Sequence, residues 1–357
     1  MKIGVLLLNF GEPEHPTLEE VVPFLERIFS LNAPLMGPAT PEAMRARSRS
    51  LAEARAPGLI EEYRAIGGSP LHRQAAGQAE ALHDELRRRG HDAMVLLGMQ
   101  FTEPSISAAV ATAQAAGVER LVGIPIYPLA GPSTTLAALD EMSRQVERLR
   151  WRVPMYRVSG WHLHPGYLRL RADAIQAVLG AGDFDHRGRT RLVFSAHGTP
   201  IQYLEEGSRY TLYVEDFCAR IAAEVGAEEY VIGYQNHTNR PGVRWTQPDV
   251  GRVIAEIDAD RVVVDAVSFM HEQSETLAEL DRELRGEAEG RGLEFHRVPV
   301  PHDAPGFAEV LADLVQPFAA EGDPGGVAEV EAGGVVLREC RCSKAPGTYC
   351  MNPVLHG

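Results

Sequence analysis

Short apolar runs, each followed by a turn and a helix-forming stretch, recur along this chain of 357 residues and leave few folds open to it. Ile3 to Leu8, Ala93 to Gly98, Arg120 to Ile126 and Pro154 to Val158 read as strands in the first half; segments near 190–195, 229–234, 261–266 and 294–298 follow in the second. Runs this short, rich in β-branched residues and bounded by turn signals, suit strands buried on both faces. Between them the spacing predicts helices from Thr17 to about Phe29, from the Gly67-Gly68-Ser69-Pro70-Leu71 turn to Arg89, over 105–116, and up to Arg150. The second half adds 208–225, 249–257, 274–291 and 304–319. Strand–helix alternation of this kind builds a doubly wound parallel sheet, so the predicted class is α/β.

Leu31 to Pro57 does not fit the alternation. Rich in proline, alanine and arginine, it reads as a loop and short helix forming a flap. Its arginines (Arg45, Arg47, Arg49, Arg55) make either a solvated helix face or a site for an anion, since guanidinium matches carboxylate geometry. After about Glu321, Gly322-Asp323-Pro324-Gly325-Gly326 and Gly333-Gly334 suggest a flexible connection to a cysteine-rich end. The expected organisation is thus a domain over 1–158, a second over 159–320, and a linker and tail over 321–357.

Charge narrows the function. A net charge of −14 argues against a nucleic-acid partner and against general attraction to anionic membranes. Met1 to Asn9 reads as a first strand rather than a signal peptide, and no stretch reaches the ~20 apolar residues of a bilayer span. A cytoplasmic protein with no integral membrane segment is expected.

Ligands of open α/β sheets are handled at the carboxyl ends of strands. Leu192 to Ser195 runs into Ala196-His197-Gly198-Thr199-Pro200, which sets a side chain that titrates near neutrality at such an end. Ser268-Phe269-Met270-His271-Glu272-Gln273-Ser274-Glu275 follows another strand, with Ser274 placed to cap a helix and Glu275 in its first turn. A histidine and a carboxylate converging from two strand ends can accept protons and offer nitrogen and oxygen to a divalent metal. The long irregular stretch Tyr234 to Pro248 carries Trp245, suited either to the core or to a flat aromatic ligand. Phe10-Gly11-Glu12-Pro13 and His197-Gly198-Thr199-Pro200 share the form x-Gly-x-Pro after the first strand of each half, which suggests duplication with a cleft between the halves. Neither turn has G-x-G-x-x-G spacing, so no nucleotide is expected.

With these residues in place, the chain resembles the ferrochelatases, enzymes that insert ferrous iron into a porphyrin in haem biosynthesis. The resemblance runs in order through Leu6 to Pro13, Tyr63-Arg64-Ala65-Ile66-Gly67-Gly68-Ser69-Pro70-Leu71, Phe194 to Pro200, Tyr234-Gln235-Asn236, Trp245 and Ser274 to Asp281, over about residues 1–318. It implies a chelatase fold: two Rossmann-like domains with four-stranded parallel sheets facing across a porphyrin cleft. It also implies a lyase with His197 and Glu275 as catalytic residues and transient Fe²⁺ ligands, Fe²⁺ being a substrate. Phe10, Arg55, Tyr63, Ser69, Trp245 and His271 are the implied porphyrin contacts. Porphyrin and iron are the expected partners, with handover to or from neighbouring haem-pathway enzymes.

The departures are specific. Where relatives usually have Ser-Asp-His, this chain has His271-Glu272-Gln273, and Gln273 cannot titrate; His271 is the expected substitute. Phe10 stands where relatives carry methionine or an iron-ligating tyrosine, so it can only pack. The segment from Pro34 to Arg49 is more polar than a membrane-facing lip. Cys340, Cys342 and Cys350 match three ligands of the [2Fe–2S] cluster that some relatives bind, but the fourth position is Pro132 here, leaving Cys218 as the other candidate. A structural zinc or free thiols are the alternatives. The porphyrin is coproporphyrin III or protoporphyrin IX, with preference for the former. The competing functions are a cobalt or nickel tetrapyrrole chelatase and a tetrapyrrole-binding protein impaired in turnover.

Overall fold

The computed structural model describes residues 1–37, 39–181, 188–236, 243–319, 327–332, 334–343 and 345–352. Its strands are β1 (Ile3–Asn9), β2 (Ala93–Met99), β3 (Arg120–Pro125), β4 (Met155–Gly160), β5 (Thr190–His197), β6 (Tyr230–Gln235), β7 (Arg261–Asp265), β8 (Glu294–Val298), β9 (Glu329–Ala332), β10 (Val335–Glu339) and β11 (Thr348–Cys350). The eight strands expected from the apolar runs are all present.

Two compact units divide the chain, and they interleave. The first comprises Met1–Gly11, Arg73–Leu170 and His302–Gly357; the second, Glu12–His72 and Arg171–Pro301. The contiguous blocks 1–158, 159–320 and 321–357 expected from the sequence thus give way to units that exchange segments. The helices after β1 belong with the second unit, and the helix Phe307–Ala319 with the first.

In the first unit β2, β1, β3 and β4 form the expected parallel set, and β11, β10 and β9 extend it to seven strands in the order β2-β1-β3-β4-β11-β10-β9. Here the four strands expected for this half are extended by strands of the tail, while the flexible connection expected at Gly322 to Gly326 lies outside the described residues. β11 pairs parallel with β4 and antiparallel with β10, which pairs antiparallel with β9. The physical reason lies in its side chains: Val335, Leu337, Tyr349 and Cys350 are buried, and Tyr349 packs on Phe318. That apolar content, sparse in sequence and split by glycines, covers what would otherwise be an open edge at β4. Leu6, Leu8, Ile106, Val110, Leu121, Leu139 and Met142 close one face of the sheet.

The second unit has four parallel strands in the order β6-β5-β7-β8. Val193, Ile254, Val262, Val264, Leu280, Leu284 and Phe295 form its core. The stretch expected as a flap is a turn at Ala33–Met36 and a helix of 25 residues, Pro41–Ala65. Thr40 caps it, its Oγ1 accepting from the Ala43 amide at 3.3 Å, and Pro41 sits in the first turn where no amide is needed. Arg45, Arg49 and Arg55 pair with Glu42, Glu53 and Glu62 along that helix, so its arginines form the solvated face. No helix among the described residues is long and apolar enough to cross a membrane.

Candidate active site

β5 ends at His197, and three contacts hold it there. Its amide donates to Ser268 Oγ at 3.1 Å, its carbonyl accepts from Tyr210 Oη at 3.0 Å, and its ring Nδ1 lies 2.6 Å from the Gly198 carbonyl. A carbonyl only accepts, so Nδ1 carries the hydrogen and Nε2 is turned toward the site.

Glu275 reaches the same place from the turn Ser274–Leu277. Its Oε1 lies 3.3 Å from His197 Nε2, with the histidine side chain 34% exposed and the glutamate 18%. The other oxygen accepts from Gln273 Nε2 at 2.7 Å. Between the two groups stands Asn236, whose Nδ2 is 3.1 Å from His197 Nε2 and also donates to Glu275 Oε1. Asn236 sits at φ 60°, a left-handed conformation that asparagine tolerates better than most residues and that holds its carboxamide toward the pair. Burial disfavours charge on His197, but Glu275 beside it, their hydrogen bond and the Gly198 carbonyl outweigh that. The imidazole pKa is pushed up to about 9, an effect tempered by solvent at the exposed third of the ring.

The helix expected over 274–291 is broken. One turn, Ser274–Leu277, leads to an i→i+5 coil at Glu279–Leu284 and then to the short helix Arg285–Gly290. Such wide turns are found at sites where helical register must be shifted. Glu279 thereby comes close enough for its carboxyl to be pushed up to about 8, by burial first and by the Glu275 charge second. Gln235 Nε2 ties the two together, donating to the Glu275 carbonyl at 2.8 Å and to Glu279 Oε2 at 3.2 Å.

A buried carboxyl lies behind this face. Glu12 is 3% exposed. It accepts from Tyr63 Oη at 3.1 Å, from Ser69 Oγ at 2.5 Å, and from both the hydroxyl and the amide of Ser274. Burial pushes its carboxyl above the usual range, although the serine hydroxyls favour the anion; the neighbouring Glu275 charge adds to the rise. Because Glu12 anchors the residue preceding Glu275, Glu12→Ala leaves three hydroxyls and an amide without their acceptor. It is expected to cost about 1–3 kcal/mol in urea unfolding, with Glu12→Gln costing less.

His197 and Glu275 therefore stand side by side, and the other residues singled out from the sequence lie in different settings. Tyr63 is 1% exposed, with its hydroxyl donating to Glu12. His271 is fully buried. Glu272 is held by Arg297 Nη1 and the Val300 amide, both at 2.9 Å. Ser69 faces Glu12, and Arg55 is exposed and paired with Glu62. Phe10, in the first unit, packs edge-on against Phe101 at 4.5 Å between ring centroids. Trp245 is half-buried and bridges to Pro200 beside His197; residues 237–242 of its loop lie outside the described residues. Asn236, Glu279 and Glu12 were not singled out from the sequence. The spacing of Glu275 and Glu279 was the available signal for one of them.

In the first unit Cys340, Cys342 and Cys350 converge, their sulfurs all within 4.8 Å of one another. Cys218 is buried in the helix Tyr210–Val225 of the second unit, its thiol pushed up by burial and then by Asp265, as befits a core residue.

Interleaved parallel α/β units with a histidine–carboxylate pair at the strand ends define a protein of the chelatase class. The fold is similar to that of SirB from Bacillus subtilis, solved with Fe³⁺, with a TM-score of 0.54 at 11% identity over 90% of this chain and 96% of that one. The chain belongs to the ferrochelatase family, whose model matches residues 2–318. The ferrochelatase of Synechococcus sp. strain JA-3-3Ab is 35% identical over 347 residues, 94% of this chain and 99% of that protein. That of Synechococcus elongatus is 35% identical over 328 residues, 88% of this chain and 82% of its own.

Proposed function

We propose that His197 and Glu275 are the groups through which this ferrochelatase inserts Fe²⁺ into a porphyrin in haem biosynthesis. The observation that carries the reading is the 3.3 Å pair, with Asn236 Nδ2 donating to Glu275 Oε1 and lying 3.1 Å from His197 Nε2, which can accept from it once the ring is neutral. Insertion needs two pyrrole protons to leave and the hydrated ion to shed water. At neutral pH the pair holds one proton on the imidazole, facing the Glu275 carboxylate. An incoming Fe²⁺ takes the carboxylate as ligand, and its charge expels the imidazole proton to solvent. Neutral His197, steadied at Nε2 by Asn236 until the porphyrin arrives, then accepts a pyrrole proton at that atom. Glu279 lies next along the face and can take protons onward, a role Gln273 cannot fill.

Anaerobic Fe²⁺ insertion, followed in parallel with coproporphyrin III and protoporphyrin IX, tests the activity and identifies the porphyrin. Absence of insertion with either, alongside tight porphyrin binding, would point to a carrier instead. The pH profile tests the residues. His197 must be neutral to act, so kcat/KM should rise as pH increases through about 9. In Glu275→Gln the residual activity should show that limb moved down toward the ordinary histidine value of about 6.5. A limb at the same place in the variant would exclude His197 as its source.

The cysteines are a separate matter. Their thiols are donors of the kind an iron–sulfur cluster takes, so this corner of the first unit is compatible with one in donor type. In number it is one short, since such a cluster takes four ligands, two on each iron, and Cys218 belongs to the core of the other unit.

A further inference from the structure

Gln235 closes β6 and is 2% exposed. Strand register pairs it with His197 at the end of β5, and the period of two along a strand puts Ser195 on the same face of the sheet as His197. The backbone repeats the tie: the Gly198 amide, next after His197, donates to the Gln235 carbonyl at 2.9 Å.

The side chain reaches the other way. Its Nε2 donates to the Glu275 carbonyl at 2.8 Å and to Glu279 Oε2 at 3.2 Å, while its Oε1 accepts from the Ser195 hydroxyl at 2.7 Å. These partners fix which end of the carboxamide is which. A carbonyl can only accept, so the nitrogen must face Glu275, and the oxygen takes the serine hydrogen. Both amide hydrogens are thus committed at a position with almost no solvent contact.

The break in the helix explains why those bonds are needed. Where a helical turn passes into an i→i+5 coil, as Ser274–Leu277 does into Glu279–Leu284, regular amide-to-carbonyl pairing is interrupted and the following side chains are carried round the axis. Gln235 gives one hydrogen to a carbonyl before the break and one to the first carboxylate after it. One carboxamide therefore spans the break and refers both sides of it to the strand that carries His197. Related side chains cannot do this: an ionised glutamate has no hydrogen to give, methionine offers neither bond, and asparagine is one methylene short.

We propose that Gln235 is the positioning residue that sets Glu275 and Glu279 in register with His197 for proton removal during insertion. The proposal rests on the reading of His197 and Glu275 as the insertion groups. Gln235 acts through the Glu275 backbone and the Glu279 carboxylate, and it needs no contact with iron or porphyrin.

Anaerobic Fe²⁺ insertion by the full chain tests it, with porphyrin affinity read from fluorescence quenching and folding from the urea midpoint. Gln235→Glu keeps the shape and the Ser195 contact but loses both donated hydrogens; Gln235→Met loses all three bonds. Each should lower kcat about 10–100-fold, the range seen when a group that orients a reacting side chain is removed, with porphyrin affinity unchanged. Ser195→Ala leaves Gln235 and both carboxylates in place but frees the carboxamide to turn, so kcat should fall in the same direction by less. Because part of the effect runs through Glu279, Gln235→Met should cost less in a Glu279→Ala background than in the parent. Parental kcat in the folded Gln235 variants, or in Ser195→Ala should those fail to fold, would overturn the proposal. So would a matching loss of porphyrin affinity, or full additivity with Glu279→Ala. Full insertion by His197→Ala would instead remove the reading beneath it, and that variant is assayed alongside so that the two failures are told apart.

Discussion

His197→Ala is expected to lower kcat for Fe²⁺ insertion by about 10²–10⁴-fold, the span that a positioned acid–base group contributes, with little change in porphyrin binding. Glu275 keeps Gln273 on one oxygen and Asn236 on the other, so the carboxylate can still receive the ion. What is lost is the acceptor for the pyrrole proton. Because Asn236 bridges the two groups, their effects should be non-additive: His197→Ala combined with Glu275→Gln should fall little below the worse single variant. Stopped-flow or continuous insertion assays under anaerobic conditions, with porphyrin affinity followed by fluorescence quenching, separate kcat from binding. Full retention of insertion by His197→Ala would remove the histidine from the mechanism.

The parts of this molecule that could be read from sequence are those governed by local rules. Buried parallel strands announce themselves as apolar runs, and β1 to β8 lie where those runs fall. The histidine at the end of β5 and the glutamate after β7 were visible for the same reason: a strand end followed by small residues and a cap leaves few places for a side chain to go. Long-range pairing was not visible. Three strand residues, Thr348 to Cys350, carry too little apolar periodicity to identify β11, and its partner β4 lies far away in sequence. Interleaving of the units is equally non-local, since nothing in Glu12 to His72 states which sheet its helices cover. The helix Pro41–Ala65 was obscured by its own composition. Pro57 within it and a surface of paired arginines and glutamates resemble a loop until the capped start at Thr40 is seen. Roles were harder than positions. Tyr63 and His271 belong to the right neighbourhood, but burial decides which side of the site a residue serves, and burial is a property of the packed chain. Glu12 shows the converse. One acidic residue in a turn looks solvated, and only the convergence of Tyr63, Ser69 and Ser274 turns it into an anchor.

The same convergence governs the largest expected effect on stability. Arg171 and Asp265 form a wholly buried ion pair, 0% and 1% exposed, with Arg171 Nη2 2.5 Å from Asp265 Oδ1. The guanidinium also reaches the Phe269 carbonyl through Nη1 at 3.3 Å. One side chain thus holds both the end of β7 and the turn that carries the chain toward Gln273 and Glu275. Asp265→Ala leaves the arginine charge buried without its counter-ion and should destabilise the protein by about 3–5 kcal/mol, read from the midpoint of urea unfolding. Replacing both partners by apolar residues of similar size, Arg171→Met with Asp265→Leu, should recover most of that loss, because the cost lies chiefly in the stranded charge. Activity should not follow stability back. With the arginine gone the Phe269 carbonyl loses its donor, so the turn before Glu275 is less firmly placed. Such misplacement lowers rate steeply, since transition-state contacts depend on geometry finer than an ångström. The double variant should therefore be nearly as stable as the parent and slower in kcat, with its acidic limb unmoved because His197 and Glu275 themselves are unchanged. Equal recovery of stability and kcat would show that the ion pair serves the core alone and leaves the path to Glu275 to other contacts.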